Sequence, residues 1–158
     1  MTLPPLSEAT PTLESVLVYN LIRTHAALAP LLDADLRQQA PITATQFNAL
    51  LALQTRAEDG LTMGELGRQL VVSKSNVTGL VDRLERGGWA RRFPATDRRA
   101  TCVRITPAGA ALLRETAPAH AAALADLTAV LTDTEKEQLT HLLTKLRRAL
   151  RHRRREAE

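Results

Sequence analysis

Residues 73–86, Ser-Lys-Ser-Asn-Val-Thr-Gly-Leu-Val-Asp-Arg-Leu-Glu-Arg, carry apolar groups at helical spacing and then meet Gly87-Gly88. At about 100° per residue, Val77, Leu80, Val81 and Leu84 share one narrow face. Ser75, Gly79, Asp82, Arg83 and Arg86 take the opposite face, with Asn76 and Thr78 on the flanks. Two short strand-like runs follow at once, Trp89 to Phe93 and Thr101 to Ile105. Pro94-Ala-Thr-Asp-Arg-Arg-Ala100 joins them as a charged, turn-forming loop. An amphipathic helix stopped by two glycines and answered by a hairpin leaves few folds open.

The chain before and after this block reads as helix. From Thr12 to Gln39 the apolar residues Val16, Leu17, Leu21, Leu28, Leu31, Leu32 and Leu36 recur at three- and four-residue steps. Pro30 is expected to kink that segment and Pro41 to end it. Thr43 with Gln46, Thr62 with Glu65, and Thr132 with Glu135 each form a capping-box pair. Thr106-Pro107 places an N-cap before a first-turn proline. The expected helices are 12–39, 43–58, 62–69, 73–86, 107–130 and 132–153, with Pro118 bending the fifth. Helix 62–69 precedes helix 73–86 by a short turn through Leu70-Val71-Val72, the spacing of a helix-turn-helix pair. The fold expected is mainly α with a small β-hairpin wing, a winged helix-turn-helix flanked by N- and C-terminal dimerisation helices. The corresponding divisions are a loose arm at 1–10, a dimerisation helix at 11–40, a DNA-binding domain at 41–106, dimerisation helices at 107–153 and a tail at 154–158.

Charge is distributed unevenly. The net charge of +4 conceals −4 over residues 1–67, +6 over 68–104, −3 over 105–144 and +5 over 145–158. Arg91, Arg92, Arg98, Arg99 and Arg104 crowd the hairpin, where like charges repel unless a polyanion neutralises them. Aromatics at 3% argue against stacking platforms for single strands, while a helix-turn-helix pair points to the groove of double-stranded DNA. Ser73, Lys74, Ser75, Asn76 and Thr78 at the start of helix 73–86, with Arg83 further along, can donate to phosphates or read base edges in a major groove. In the hairpin the DNA-contacting candidates are Arg92, Arg98 and Arg99, with Asp97 placed to orient an arginine by a bidentate pair.

Other functions lack their residues. One Cys and four scattered His give no zinc cluster, and neither a metal nor a cofactor is implied. Gly64-Glu-Leu-Gly67 has no strand before it and no Lys after it, so it is not a phosphate loop, and no catalytic grouping stands out. No apolar run approaches the roughly 18 residues of a membrane span, and no signal segment is evident. A lone cysteine suits a reducing cytoplasm.

Leu84-Glu-Arg-Gly-Gly-Trp-Ala-Arg-Arg, Asp97-Arg-Arg and Val103-Arg-Ile-Thr-Pro-Ala-Gly109 together resemble the MarR (multiple-antibiotic-resistance regulator) family over roughly residues 12–153. The resemblance implies a homodimeric transcription regulator, most often a repressor, that binds a palindromic operator and is released by a small effector. It casts Arg99 as the minor-groove wing residue and Asp97 as its partner. Tyr19, Arg23 and His25 become candidates for a pocket taking an aromatic or anionic effector. Two alternatives stand beside it: a redox-sensing regulator acting through Cys102, and an architectural DNA-binding dimer without a ligand. The long apolar end helices argue for a second copy independently. A 28-residue helix spans about 42 Å, more than a small winged domain can cover.

Overall fold

A computed structural model describes residues 11–70, 74–94 and 101–156. Ser73, Asp97, Arg98 and Arg99, all expected at the DNA interface, lie outside the described residues. The elements run α1 (Leu13–Gln39), α2 (Ala44–Gln54), β1 (Leu61–Thr62), α3 (Met63–Leu70), α4 (Lys74–Arg86), β2 (Ala90–Pro94), β3 (Thr101–Ile105), α5 (Pro107–Leu127) and α6 (Asp133–Glu156). The chain divides into two compact units after His120.

In the first unit the helix starts follow the capping chemistry. The Thr43 hydroxyl accepts from the Gln46 amide at 3.3 Å while the Gln46 side chain accepts from the Thr43 amide at 2.8 Å. Thr62 and Glu65 repeat the exchange at 3.2 and 2.8 Å. A contact absent from the sequence pattern fixes α2 further: Asp33, on α1, accepts from the Ala44 amide at 2.7 Å. Helix α1 runs unbroken through Pro30 and α5 through Pro118.

Helix α2 ends at Gln54, four residues short of the expected stop. The Thr55 hydroxyl donates to Ala52 O at 2.7 Å, and Arg56 N donates to Leu53 O, which tightens the chain out of α geometry. The expected two-stranded hairpin is a three-stranded antiparallel sheet of order β1-β3-β2. Strand β1 was illegible because two residues show no period, and Thr62 also caps α3. Its Leu61 pairs with Val103 and its Thr62 with Cys102.

Leu36, Ile42, Leu50, Leu53, Leu61, Leu66, Leu80, Leu84, Val77, Val81 and Val103 form the fully buried centre of this unit. At about 25 cal/mol per Å² of apolar surface, each such side chain contributes on the order of 2 kcal/mol. All four residues expected on the apolar face of α4 lie in it. One buried polar group had no sequence signal. His120 Nδ1 sits 2.9 Å from Asp35 Oδ2 on α1, with the His120 ring edge-on to Phe47 at 4.8 Å.

By contrast, α1 exposes Leu13, Val16, Leu17, Val18, Tyr19 and Ile22. Over 18 residues its mean hydropathy reaches 1.2, long and apolar enough to cross a membrane by length and composition. The expectation that no such segment exists holds for uninterrupted runs only, since Arg23 and His25 fall inside it.

The second unit carries the end of α5 and all of α6. Helix α5 stops at Leu127, three residues early, where the Thr128 hydroxyl donates to Leu124 O at 2.8 Å and Leu131 N turns back to Thr128 O. Thr132 and Glu135 box the start of α6, with Thr132 N donating to the Glu135 carboxylate at 2.8 Å. Leu139, Leu142, Leu143, Leu146 and Leu150 line one face of α6 and are exposed.

Candidate nucleic-acid interface

Helices α3 and α4 bracket residues 71–73, and the buried stripe of α4 fixes which of its faces looks outward. Asn76, Thr78, Asp82, Arg83 and Arg86 are exposed on that face. Lys74 and Ser75 belong to its first turn. Gly79 sits beneath Arg83: a Cβ there would lie 3.6 Å from Arg83 Nη1, so the guanidinium folds back along the helix. Arg86 Nε donates to Asp82 O at 3.3 Å. The helix therefore presents an amide, a hydroxyl and folded arginines, the groups that contact phosphates and base edges.

The sheet sorts the hairpin arginines. Ala90 is buried, so strand alternation sends Arg92 inward and Arg91 outward. Arg92 shares its row with Val103 and Leu61. Its Nη2 meets Asp82 Oδ1 at 2.6 Å and Thr78 O at 3.4 Å, and its Nη1 pairs with Glu85. The backbone amide of Arg92 also donates to Glu85 Oε1 at 2.7 Å. Burial works against the charge of Arg92, yet the hydrogen bond to Asp82 and the nearby Glu85 carboxylate raise its pKa above the ordinary guanidinium value. On the outer face Arg91 pairs in register with Arg104, whose guanidinium lies 4.3 Å above the Phe93 ring. Arg91 is exposed, so Arg91 and Arg92, equivalent by composition, differ in role.

The junction after β3 is equally built. Thr106 N donates to Trp89 O at 3.0 Å, its hydroxyl donates to Gly88 O at 2.7 Å and accepts from Gly109 N at 3.1 Å. A Cβ on Gly109 would fall 2.1 Å from Trp89 O. Thr106 and Gly109 thus lock the N-terminus of α5 onto the turn that ends α4.

The structure brings two of the three pocket candidates together. Arg23 Nη1 donates to the Tyr19 hydroxyl at 3.3 Å and its guanidinium lies 5.7 Å from the ring. His25 is two residues beyond Arg23, about 200° around the helix, and does not join them. All three are exposed on α1. Cys102 is buried in β3 between Thr62 and Phe93, a placement that gives an oxidant little access.

Residues 40–100 match the model of the MarR family. The multiple antibiotic resistance protein MarR of Salmonella typhimurium is 36% identical over 107 residues, 66% of this chain and 73% of its own length. The chain belongs to the MarR family. Within that family it is also similar to the transcriptional repressor MprA of Escherichia coli, 36% identical over 106 residues. That match takes in 66% of this chain but spans only 60% of MprA. Among solved structures, the MarR-family regulator Sco3205 of Streptomyces coelicolor, in complex with DNA, superposes with a TM-score of 0.78 at 28% identity. It covers 88% of this chain and 92% of Sco3205. The α1–α6 order with its β1-β3-β2 sheet therefore matches the winged-helix structures of this family.

Proposed function

We propose that the chain is a cytoplasmic DNA-binding transcription regulator, a repressor that occupies a palindromic operator as a homodimer and leaves it when a small effector binds. The observation that carries this is α4: its apolar stripe is buried, so its opposite face, with Asn76, Thr78 and Arg83, is turned outward beside a basic hairpin. That Sco3205 is seen with DNA, and that MprA is a repressor, supports the same reading. In this assignment Ser73, Lys74, Ser75, Asn76 and Thr78 meet the major groove, Arg83 a phosphate, and Arg99, oriented by Asp97, the minor groove. Arg98 flanks them. The effector contacts Tyr19 and Arg23 on α1, an aromatic ring and a cation suited to an aromatic or anionic compound. Duplexes selected by the chain from a random library supply the test. Their affinity should fall roughly 10³–10⁵-fold between 50 and 200 mM salt if about six to ten phosphates are contacted per dimer. A flat salt response, or a pool that never enriches, would exclude DNA as the partner.

A further inference from the structure

Arg92 reaches from the second strand of the sheet across three successive positions of α4. Thr78, Asp82 and Glu85 stand at i, i+4 and i+7, a span of about 10 Å along the helix axis. The Arg92 guanidinium touches Thr78 O at 3.4 Å, Asp82 at 2.6 Å and the Glu85 carboxylate, while its own amide is held by the other Glu85 oxygen at 2.7 Å. Contacts at three heights on one helix fix both its rotation and its slide against β2. A planar guanidinium spreads its donors over separate nitrogens, so Nη1 meets Glu85 while Nη2 meets Asp82 and Thr78 O; the three donors of an ammonium all radiate from one nitrogen.

The charge balance points the same way. Asp82 is half exposed, on the outward face of α4. That face is the one the DNA-binding reading sets against phosphates, where a bare carboxylate would repel them. Asp82 and Glu85 are two acids on a recognition helix, and the cation that answers both comes from the wing. We propose that Arg92 is a positioning residue for DNA binding: it does not touch DNA, but pairs with both acids of α4, offsetting one of their two charges, and holds that helix at a fixed angle to the wing strand. This rests on the DNA-binding reading and moves Arg92 out of the expected set of direct contacts. It also explains why the hairpin needs adjacent arginines, since Arg92 serves the helix while Arg91 stays exposed.

The test uses the full chain, a duplex that it selects from a random library, and titrations by fluorescence anisotropy between 50 and 200 mM salt. Arg92→Gln should weaken binding by about ten- to a hundredfold, because it strips the mask from Asp82 and Glu85. The slope of log affinity against log salt should stay at the wild-type value. A direct phosphate contact would instead lower that slope by about 0.9 per protomer. The neutral triple variant R92Q/D82N/E85Q leaves no carboxylate unpaired and should recover to within about fivefold of wild type. It also serves if Arg92→Gln alone does not fold, because removing every partner of a network costs less than removing one. Arg92→Lys, which keeps the charge and loses the fork, should fall between wild type and Arg92→Gln. Unchanged affinity in Arg92→Gln, a reduced slope in either variant, or no recovery in a folded triple variant would overturn the proposal alone. Failure of the wild-type chain to bind any duplex would overturn the DNA-binding reading and this proposal with it.

Discussion

At the scale of single residues, two glycines on either side of the hairpin, Gly88 and Gly109, do different work. Gly88 has φ +71 and open space around it, so alanine there meets only the left-handed penalty of about 1 kcal/mol. At Gly109 a Cβ would lie 2.1 Å from Trp89 O and 2.9 Å from Ile105 Cγ1. Gly109→Ala must push α5 off the wing turn and should cost about 3 kcal/mol, read as a lowered denaturant midpoint. Equal losses at the two sites would refute the close-approach explanation. The sequence showed Thr106-Pro107-Ala108-Gly109 as a motif, but its cause, a carbonyl seventeen or more residues away in the chain, is a tertiary fact. Arg92 was legible in part: it shares strand parity with buried Ala90, while Asp82 and Glu85 stand on the preceding helix. What hid its role was the density of arginines around it, all of which suit a phosphate equally well by composition. The wing pair makes a separate prediction. Arg99→Ala should cost about 1–3 kcal/mol of operator binding. Combined with Asp97→Ala the losses should be non-additive, since an absent guanidinium cannot be misoriented. A coupling energy of zero in that cycle would separate the two roles.

Elements were most legible where side chains of known capping chemistry open them. Thr43–Gln46, Thr62–Glu65 and Thr132–Glu135 each exchange the two hydrogen bonds their spacing implies. Ends were less legible. The stop of α2 depends on a Thr55 hydroxyl turning back to its own helix, and β1 exists only because β3 lies beside it. Capping also sets a pH response. The Thr62 backbone amide, with the Thr62 hydroxyl, holds the Glu65 pKa below its ordinary 4.5. A folded-state pKa below the unfolded one means that this cap stabilises α3 fully above about pH 4.5. The stabilisation is lost as pH falls through the depressed value. Gln46 fills the same position on α2 without titrating. Glu65→Gln should therefore flatten the acid limb of the unfolding curve while leaving neutral stability nearly unchanged. An acid limb identical to wild type, followed by circular dichroism from pH 7 to 2, would mean that the cap does not contribute.

For the whole molecule the decisive observation is apolar surface left uncovered on two long helices. On α1, Leu13 is 80% exposed and Ile22 63%. On α6, Leu142 is 60% exposed and Leu150 56%, on a face shared with Leu139, Leu143 and Leu146. A helix rarely holds such a stripe in water, because most helical stability in proteins comes from packing an amphipathic face rather than from propensity. Each of these roughly half-exposed side chains gains about 1 kcal/mol when covered, so the twelve exposed on α1 and α6 of each protomer together outweigh the cost of association, itself about 4–15 kcal/mol. In the proposed dimer a second copy would cover the stripes symmetrically and give each half of a palindrome its own α4. The chain should sediment at micromolar concentration with twice its 17.3 kDa mass. Leu142→Glu with Leu146→Glu places two carboxylates in that face and should shift it to monomer. The salt dependence then gives an independent measure of the same event. If each protomer brings half of the phosphate contacts, the monomeric variant should bind the selected duplex with about half the wild-type salt slope, since the slope counts contacts rather than affinity. A folded wild-type monomer would remove the palindrome. A monomeric variant that kept the full slope would place all the phosphate contacts within one protomer.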